Sequence, residues 1–208
     1  MHMACTLRSM TPPAPIVPVP IAALHALGES HFVDHLGAVV EHSPWVARRA
    51  WADAPFATFE ALYGAMARSI HGATPSQQLT LLRAHPELAG REAVAGTMTP
   101  DSNAEQARLG LMALSPQTLE RLTALNQAYQ ARFGYPFIVA LRLHESLASV
   151  LQAGEARLRH DPDTEWPLAL QQVCEVMRGR LARVVQDTAN PTAVFPPSPV
   201  STASRTLP

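Results

Sequence analysis

Cysteine is scarce: Cys5 and Cys174 are the only two in 208 residues, too few for a disulfide framework or a thiolate metal centre, so the fold has to rest on packing. An excess of one charge is lacking as well. Sixteen Lys and Arg against seventeen Asp and Glu leave a formal net charge of −1, which provides no electrostatic footprint for nucleic acid or for an anionic membrane surface. Long hydrophobic runs are missing too. The apolar stretch over residues 16–21 is cut by Pro18 and Pro20 and suits neither a signal-peptide core nor a spanning helix. A cytoplasmic location, a small-molecule ligand, and no nucleic-acid or membrane partner are the expectations that follow. No Walker loop or dinucleotide fingerprint occurs, and Gly28-x-Ser30 lacks the closing glycine and the preceding strand of a nucleophile elbow.

What the chain does have is apolar content, 47%, enough for one well-buried core in a single domain. Residues 1–20 and 189–208 are rich in Pro, Ser and Thr and read as disordered tails around a folded body at 21–188. The body shows no internal repeat and no convincing strand. Phe32, Leu36, Val39 and Val40 have helical spacing, as do Phe59, Leu62, Tyr63, Met66 and Ile70. Thr74-Pro75-Ser76-Gln77 supplies a cap, a proline at the first helical position and a glutamine three residues after the cap; the helix it opens stops before Pro86. Ser115-Pro116 opens another, with Leu119, Leu122, Leu125 and Tyr129 on its apolar face and Gly134 as terminator. Leu147, Val150, Leu151, Ala156 and Leu158 continue the pattern, and a last helix spans about 165–185. The expectation is an all-α, single-domain bundle of about seven to nine helices.

Three segments could carry chemistry. In Arg83-Ala84-His85-Pro86-Glu87-Leu88-Ala89-Gly90-Arg91 a helix ends on a histidine that the next proline holds rigidly; the plain alternative is a histidine sitting beside the negative end of a helix dipole. Ser102-Asn103-Ala104-Glu105-Gln106 fits a capping box, Ser102 and Glu105 satisfying each other's backbone, while also setting Glu and Gln beside unpaired N–H groups that suit an anionic, urea-like ligand. Gly134 and Pro136 break the chain before the apolar residues Phe137, Ile138, Val139, Ala140 and Leu141, which read either as plain core or as a wall whose backbone groups address a planar ring. His31 and His35 have metal-ligand spacing, but no third ligand follows in a recognisable zinc pattern, so a solvated helical face is the simpler reading.

Taken together, His85-Pro86-Glu87-Leu88-Ala89-Gly90-Arg91, Ser102-x-x-Glu105-Gln106 and Phe133-Gly134-Tyr135-Pro136-Phe137-Ile138, with Glu41-x-Ser43-Pro44-Trp45, Asn126-x-x-Tyr129 and a late Arg180-Leu181, resemble the 2-oxo-4-hydroxy-4-carboxy-5-ureidoimidazoline (OHCU) decarboxylases in order and spacing. The resemblance covers nearly all of 21–188. It implies an α-helical homodimer without metal or organic cofactor that completes the conversion of urate to S-allantoin. It makes His85 the catalytic acid or base and gives Glu105 the task of orienting the hydroxyl or His85. Pro86 would lie against the substrate, with Ser102, Asn103, Ala104 and Gln106 around it. Phe137, Ile138, Val139, Ala140 and Leu141 would close the pocket, and Arg180 would assist binding, with Arg178 the alternative match. Glu87 stands where relatives often carry Asp, His160 where many carry Asn, and no small residue occurs near Leu143. Two rival readings use the same residues: a hydrolase or isomerase of another purine-ring intermediate, with His85 and Glu105 as a proton-transfer pair, and a non-catalytic helical interaction module in which these segments only punctuate helices.

Overall fold

A residue that can cap followed by proline marks four helix starts. In the computed structural model, which describes residues 18–187, Thr74, Thr99, Ser115 and Asp161 each accept a hydrogen bond from the backbone N–H three residues on. The proline that follows has no N–H to leave unpaired and has φ preset for a helix. These pairs open α5 (Pro75–Arg83), α7 (Pro100–Arg108), α8 (Pro116–Phe133) and α10 (Pro162–Val184). At α5 the full capping box forms, Gln77 bonding back to Thr74. Gly134, at φ 78°, ends α8 in the left-handed conformation that glycine tolerates best.

The remaining helices are α1 (Ile21–Leu24), α2 (Gly28–Leu36), α3 (Trp45–Ala50), α4 (Phe59–His71), α6 (Arg91–Ala95) and α9 (Leu147–Arg157). Ten α-helices therefore occur among the described residues; α1 and α6 are only four and five residues long. The architecture is all-α apart from one parallel pairing, β1 (Val19–Pro20) with β2 (Val185–Gln186). Pro18, Val19 and Pro20 fall within the stretch read as a tail; the rest of both expected tails lies outside the described residues. No helix among the described residues is long and apolar enough to cross a membrane.

Three details depart from the sequence expectations. α2 ends at Leu36, so Val39 and Val40 reach the core from the turn beyond it. Leu119 is 43% exposed, because only Leu122, Leu125, Asn126 and Tyr129 of α8 turn inward. α10 begins a turn earlier than expected, Pro167 being absorbed inside it.

Two-sided α10 organises the rest. It packs against α2, α4 and α5, burying Leu170, Val173, Cys174, Met177 and Leu181 among residues such as Phe59, Leu62, Met66 and Ile70 of α4. Each such side chain removed from water contributes roughly 1.5–3 kcal/mol. Its other side carries Val176 and Arg180 to a cleft.

Candidate active site

The cleft encloses about 380 Å³, its solvent-open mouth included, and is walled by the end of α5 and the loop after it (His85, Pro86, Leu88), by α7 (Ser102, Glu105, Gln106), by the extended segment Phe137, Ile138, Val139 with Leu141, and by α10. On α7 the spacing i, i+3, i+4 places Ser102, Glu105 and Gln106 on one face. Asn103 and Ala104 lie on the far side of that helix and are exposed. The structure does not bring Asn103 to the cleft, and Ala104 lines a neighbouring groove with Arg108 and Arg183. The expected capping box at Ser102 does not form either: Thr99 is the cap, and Ser102 sits inside the first turn. The missed signal was the Thr99-Pro100 pair, which repeats the Thr74-Pro75 signature.

Arg180 is the electrostatic centre and is 2% exposed. Its Nε and one terminal nitrogen grip Glu105 at 3.0 and 2.8 Å, its other nitrogen donates to Glu41 at 2.7 Å, and the Ser102 hydroxyl accepts a further bond at 3.0 Å. Burial alone would weaken the guanidinium's hold on its proton, but the two carboxylates outweigh burial and raise its pKa. Glu41 is buried as well, and it also accepts bonds from the hydroxyls of Thr99 and Ser102 at 2.7 and 3.0 Å. Burial opposes its ionisation, yet these donors and Arg180 together hold its pKa below the usual carboxylate range. Arg178, the alternative match, lies elsewhere, pairing with Glu60 and stacking over Tyr63.

His85 follows the α5 C-terminus and is 8% exposed. Its Nδ1 lies 3.0 Å from the Leu81 carbonyl, a helix-end carbonyl that also accepts the Ala84 N–H at 3.3 Å. That contact assigns the proton to Nδ1 and leaves Nε2 as the basic nitrogen. Burial above all, with Arg180 adding to it, pushes the imidazole pKa down to about 4, against the opposing pull of the Leu81 carbonyl, Glu41 and Glu105. The ring is therefore neutral at pH 7.

The loop that presents His85 is stitched from both sides. Gln106 accepts from the Ala89 N–H at 2.8 Å and donates to the Glu87 carbonyl at 3.2 Å, and Asn126 of α8 donates to the Leu88 carbonyl at 2.9 Å. The Gln106 amide, expected beside the substrate, is thus engaged with the loop. Ala89 adopts φ 47°, uncommon without glycine, and a Cβ at Gly90 would lie 2.5 Å from the Glu87 Cβ, so glycine is needed there for close approach. Glu41 and Asn126 are the residues whose part the sequence motifs did not disclose.

Opposite His85, residues 137–141 are all buried. Ala140 lines the neighbouring groove, and its N–H donates to Gln172 at 2.9 Å. His31 and His35 do not converge: His31 contacts the Leu27 carbonyl at 3.1 Å and His35 the Val184 carbonyl at 2.9 Å. The arrangement amounts to a neutral imidazole base and a caged arginine around a small, mostly apolar cleft, equipment for moving a proton on an anionic substrate without bulk water.

Known proteins share this chain's pattern. A profile of the OHCU decarboxylase family matches residues 25–182. The 2-oxo-4-hydroxy-4-carboxy-5-ureidoimidazoline decarboxylase of Halalkalicoccus jeotgali is 40% identical over 158 residues, 76% of this chain and 87% of that protein. The enzyme of the same name from Haloferax volcanii is 40% identical over 159 residues, 76% of this chain and 92% of that one. Among solved structures, an (S)-allantoin synthase superposes with a TM-score of 0.64 at 29% identity, covering 80% of this chain, which spans about half (54%) of that one.

Proposed function

Since the chain belongs to the OHCU decarboxylase family, we propose that it decarboxylates OHCU stereospecifically to S-allantoin, with His85 as the proton-transferring group. The observation that carries this reading is His85 itself, neutral and tautomerically fixed in the wall of a cleft opposite an apolar surface.

The substrate's carboxylate sits on a carbon that also bears a hydroxyl and adjoins an imine-like ring carbon. Loss of carbon dioxide breaks the bond from the carboxylate carbon to that hydroxyl-bearing ring carbon, and the released electron pair forms a double bond to the imine-like carbon while the C=N electrons move to nitrogen, which takes up a proton. The resulting enol becomes the ring carbonyl when its hydroxyl proton leaves and the neighbouring ring carbon gains one. In this reading Nε2 of His85 takes the hydroxyl proton and returns it to one face of the ring, which fixes the configuration. A positioned acid or base of this kind contributes typically ~10²- to 10⁴-fold. Arg180 supplies positive charge for the anionic substrate, and Glu105, the more exposed of its two carboxylate partners, is the one placed to yield a bond to an incoming ligand. Phe137, Ile138 and Val139 exclude water, which favours loss of the carboxylate charge.

Assembly as a homodimer belongs to the same reading. Its support is the exposed Val94 and Met112 beside Leu119, around a groove lined by Ala93, Leu111 and Leu114, a surface a second copy would cover.

The test is to generate OHCU in the cuvette with urate oxidase and hydroxyisourate hydrolase, add the protein and follow circular dichroism. Rapid appearance of one allantoin enantiomer is expected. His85→Gln should lose at least ~10²-fold in rate; a variant with full, stereospecific turnover would refute the role of His85.

A further inference from the structure

Behind the apolar wall, on the side away from the cleft, lies a second buried cluster of charge. Arg157, the last residue of α9, is 7% exposed and Glu165 of α10 is fully buried. The guanidinium donates to one Glu165 oxygen from Nε at 3.0 Å and from Nη2 at 2.5 Å, and lies over the Phe137 ring at 4.9 Å. The Tyr129 hydroxyl bonds to the same carboxylate and accepts from Arg157 Nη2 at 3.2 Å. His160 contacts the other Glu165 oxygen at 2.9 Å. Burying an ion pair in this way adds little net stability over an apolar packing of the same volume, so its geometry is the better guide to its purpose.

The remaining Arg157 nitrogen, Nη1, donates to the Ile138 carbonyl at 2.7 Å. The peptide that joins Ile138 to Val139 is trans, and in a planar trans peptide the C=O and N–H point in opposite directions. With the carbonyl drawn toward Arg157, which is not part of the cleft wall, the Val139 N–H of the same peptide points away from Arg157, and Ile138 and Val139 both line the cleft. On either side of it the wall is already committed: the Ala140 N–H to Gln172 and the Leu141 carbonyl to Arg108. The Val139 N–H has no hydrogen-bond partner among the described residues, and a buried amide seldom goes without one.

We propose that Arg157, locked by Glu165 and Tyr129, is a positioning residue that fixes the Ile138–Val139 peptide so that the Val139 N–H donates to a carbonyl or enolate oxygen of the bound imidazolone. The inference rests on the decarboxylase reading and deepens it. A preorganised N–H aimed at an oxygen that gains charge during reaction acts mainly on the chemical step, and loss of one such donor costs ~10²- to 10³-fold in kcat; tilting it costs a part of that.

The experiment uses the ¹⁵N-labelled full chain with (S)-allantoin as the probe. In the wild-type protein the Val139 amide proton is expected to move downfield on saturation. Arg157→Lys, which keeps the charge but not the fork, should lose that shift and about 10-fold in kcat while KM changes by less than about 3-fold. Tyr129→Phe, which removes only a hydroxyl, should lose about 2- to 5-fold in kcat, so the proposal stays decidable if the arginine variant does not fold. An unmoved Val139 amide beside shifted amides in the 85–90 loop overturns it. So does a folded Arg157→Lys with wild-type kcat. A wild-type protein that neither turns over OHCU nor binds (S)-allantoin removes the decarboxylase reading itself, whereas turnover with an unmoved Val139 amide removes only this inference.

Discussion

Replacing Glu41 by Gln preserves shape and removes one negative charge from a place water barely reaches. The carboxylate receives three hydrogen bonds, from Arg180, Thr99 and Ser102. Breaking a buried ion pair by deleting one member costs about 3–5 kcal/mol. Here Arg180 keeps Glu105, and the glutamine oxygen still accepts one bond, so the expected loss is nearer that of one charge-assisted hydrogen bond with some desolvation, about 2–3 kcal/mol. For a domain of this size that corresponds to a fall of roughly 5–10 °C in Tm. The sign with pH follows from the depressed pKa of Glu41. Its contribution is fully present above the unfolded carboxylate value, about 4.3, and disappears as pH falls through the lower folded value. Urea titrations of both proteins should therefore show a gap at pH 7 that narrows steadily below about pH 4. Equal stability at pH 7, or an undiminished gap at the acid end, would refute the picture of Glu41 as a working anion.

Two further outcomes are expected. Because the His85 pKa is pushed down to about 4, kcat/KM should stay flat from pH 8 to about pH 5.5 and fall only as the imidazole protonates near pH 4; a fall centred at the ordinary value near 6.5 would contradict the burial argument. The same depression means that the unfolded chain binds this proton first, so His85 contributes stability that is present above about 6.5 and lost toward its folded pKa. Gly90→Ala forces a Cβ to within 2.5 Å of the Glu87 Cβ; overpacking of this kind costs about 1–3 kcal/mol, and displacement of the His85 loop should lower kcat at least 10-fold, measured by the dichroism assay.

The helices were legible wherever a single stretch of chain decides the outcome. Thr74-Pro75, Ser115-Pro116 and Gly134 determine their boundaries through hydrogen bonds and dihedral limits that involve only neighbours in sequence. His85 and Arg180 were legible through their motif context. Glu41 stands in one of the motifs that carry the resemblance but was given no role, because its surroundings come from Thr99, Ser102 and Arg180, between 58 and 139 positions away; nothing adjacent to it announces burial. Asn103 and Ala104 lie away from the cleft for a different reason: the segment read as a helix start capped by Ser102 lies wholly inside α7, and a helix presents only every third or fourth residue to one side. Gln106 turned out to hold the loop because the backbone groups it meets belong to Glu87 and Ala89, whose unusual turn is set by tertiary packing.

The pairing of Val19–Pro20 with Val185–Gln186 brings the beginning and the end of the folded body to one spot. A polypeptide that enters and leaves by the same doorway behaves as a plug-in unit: it can be spliced into a larger protein, or have its ends joined and new ones opened elsewhere, with little rearrangement of the helices between. The cost of such grafting falls on a two-residue ribbon, while the chemistry stays with the helices it encloses.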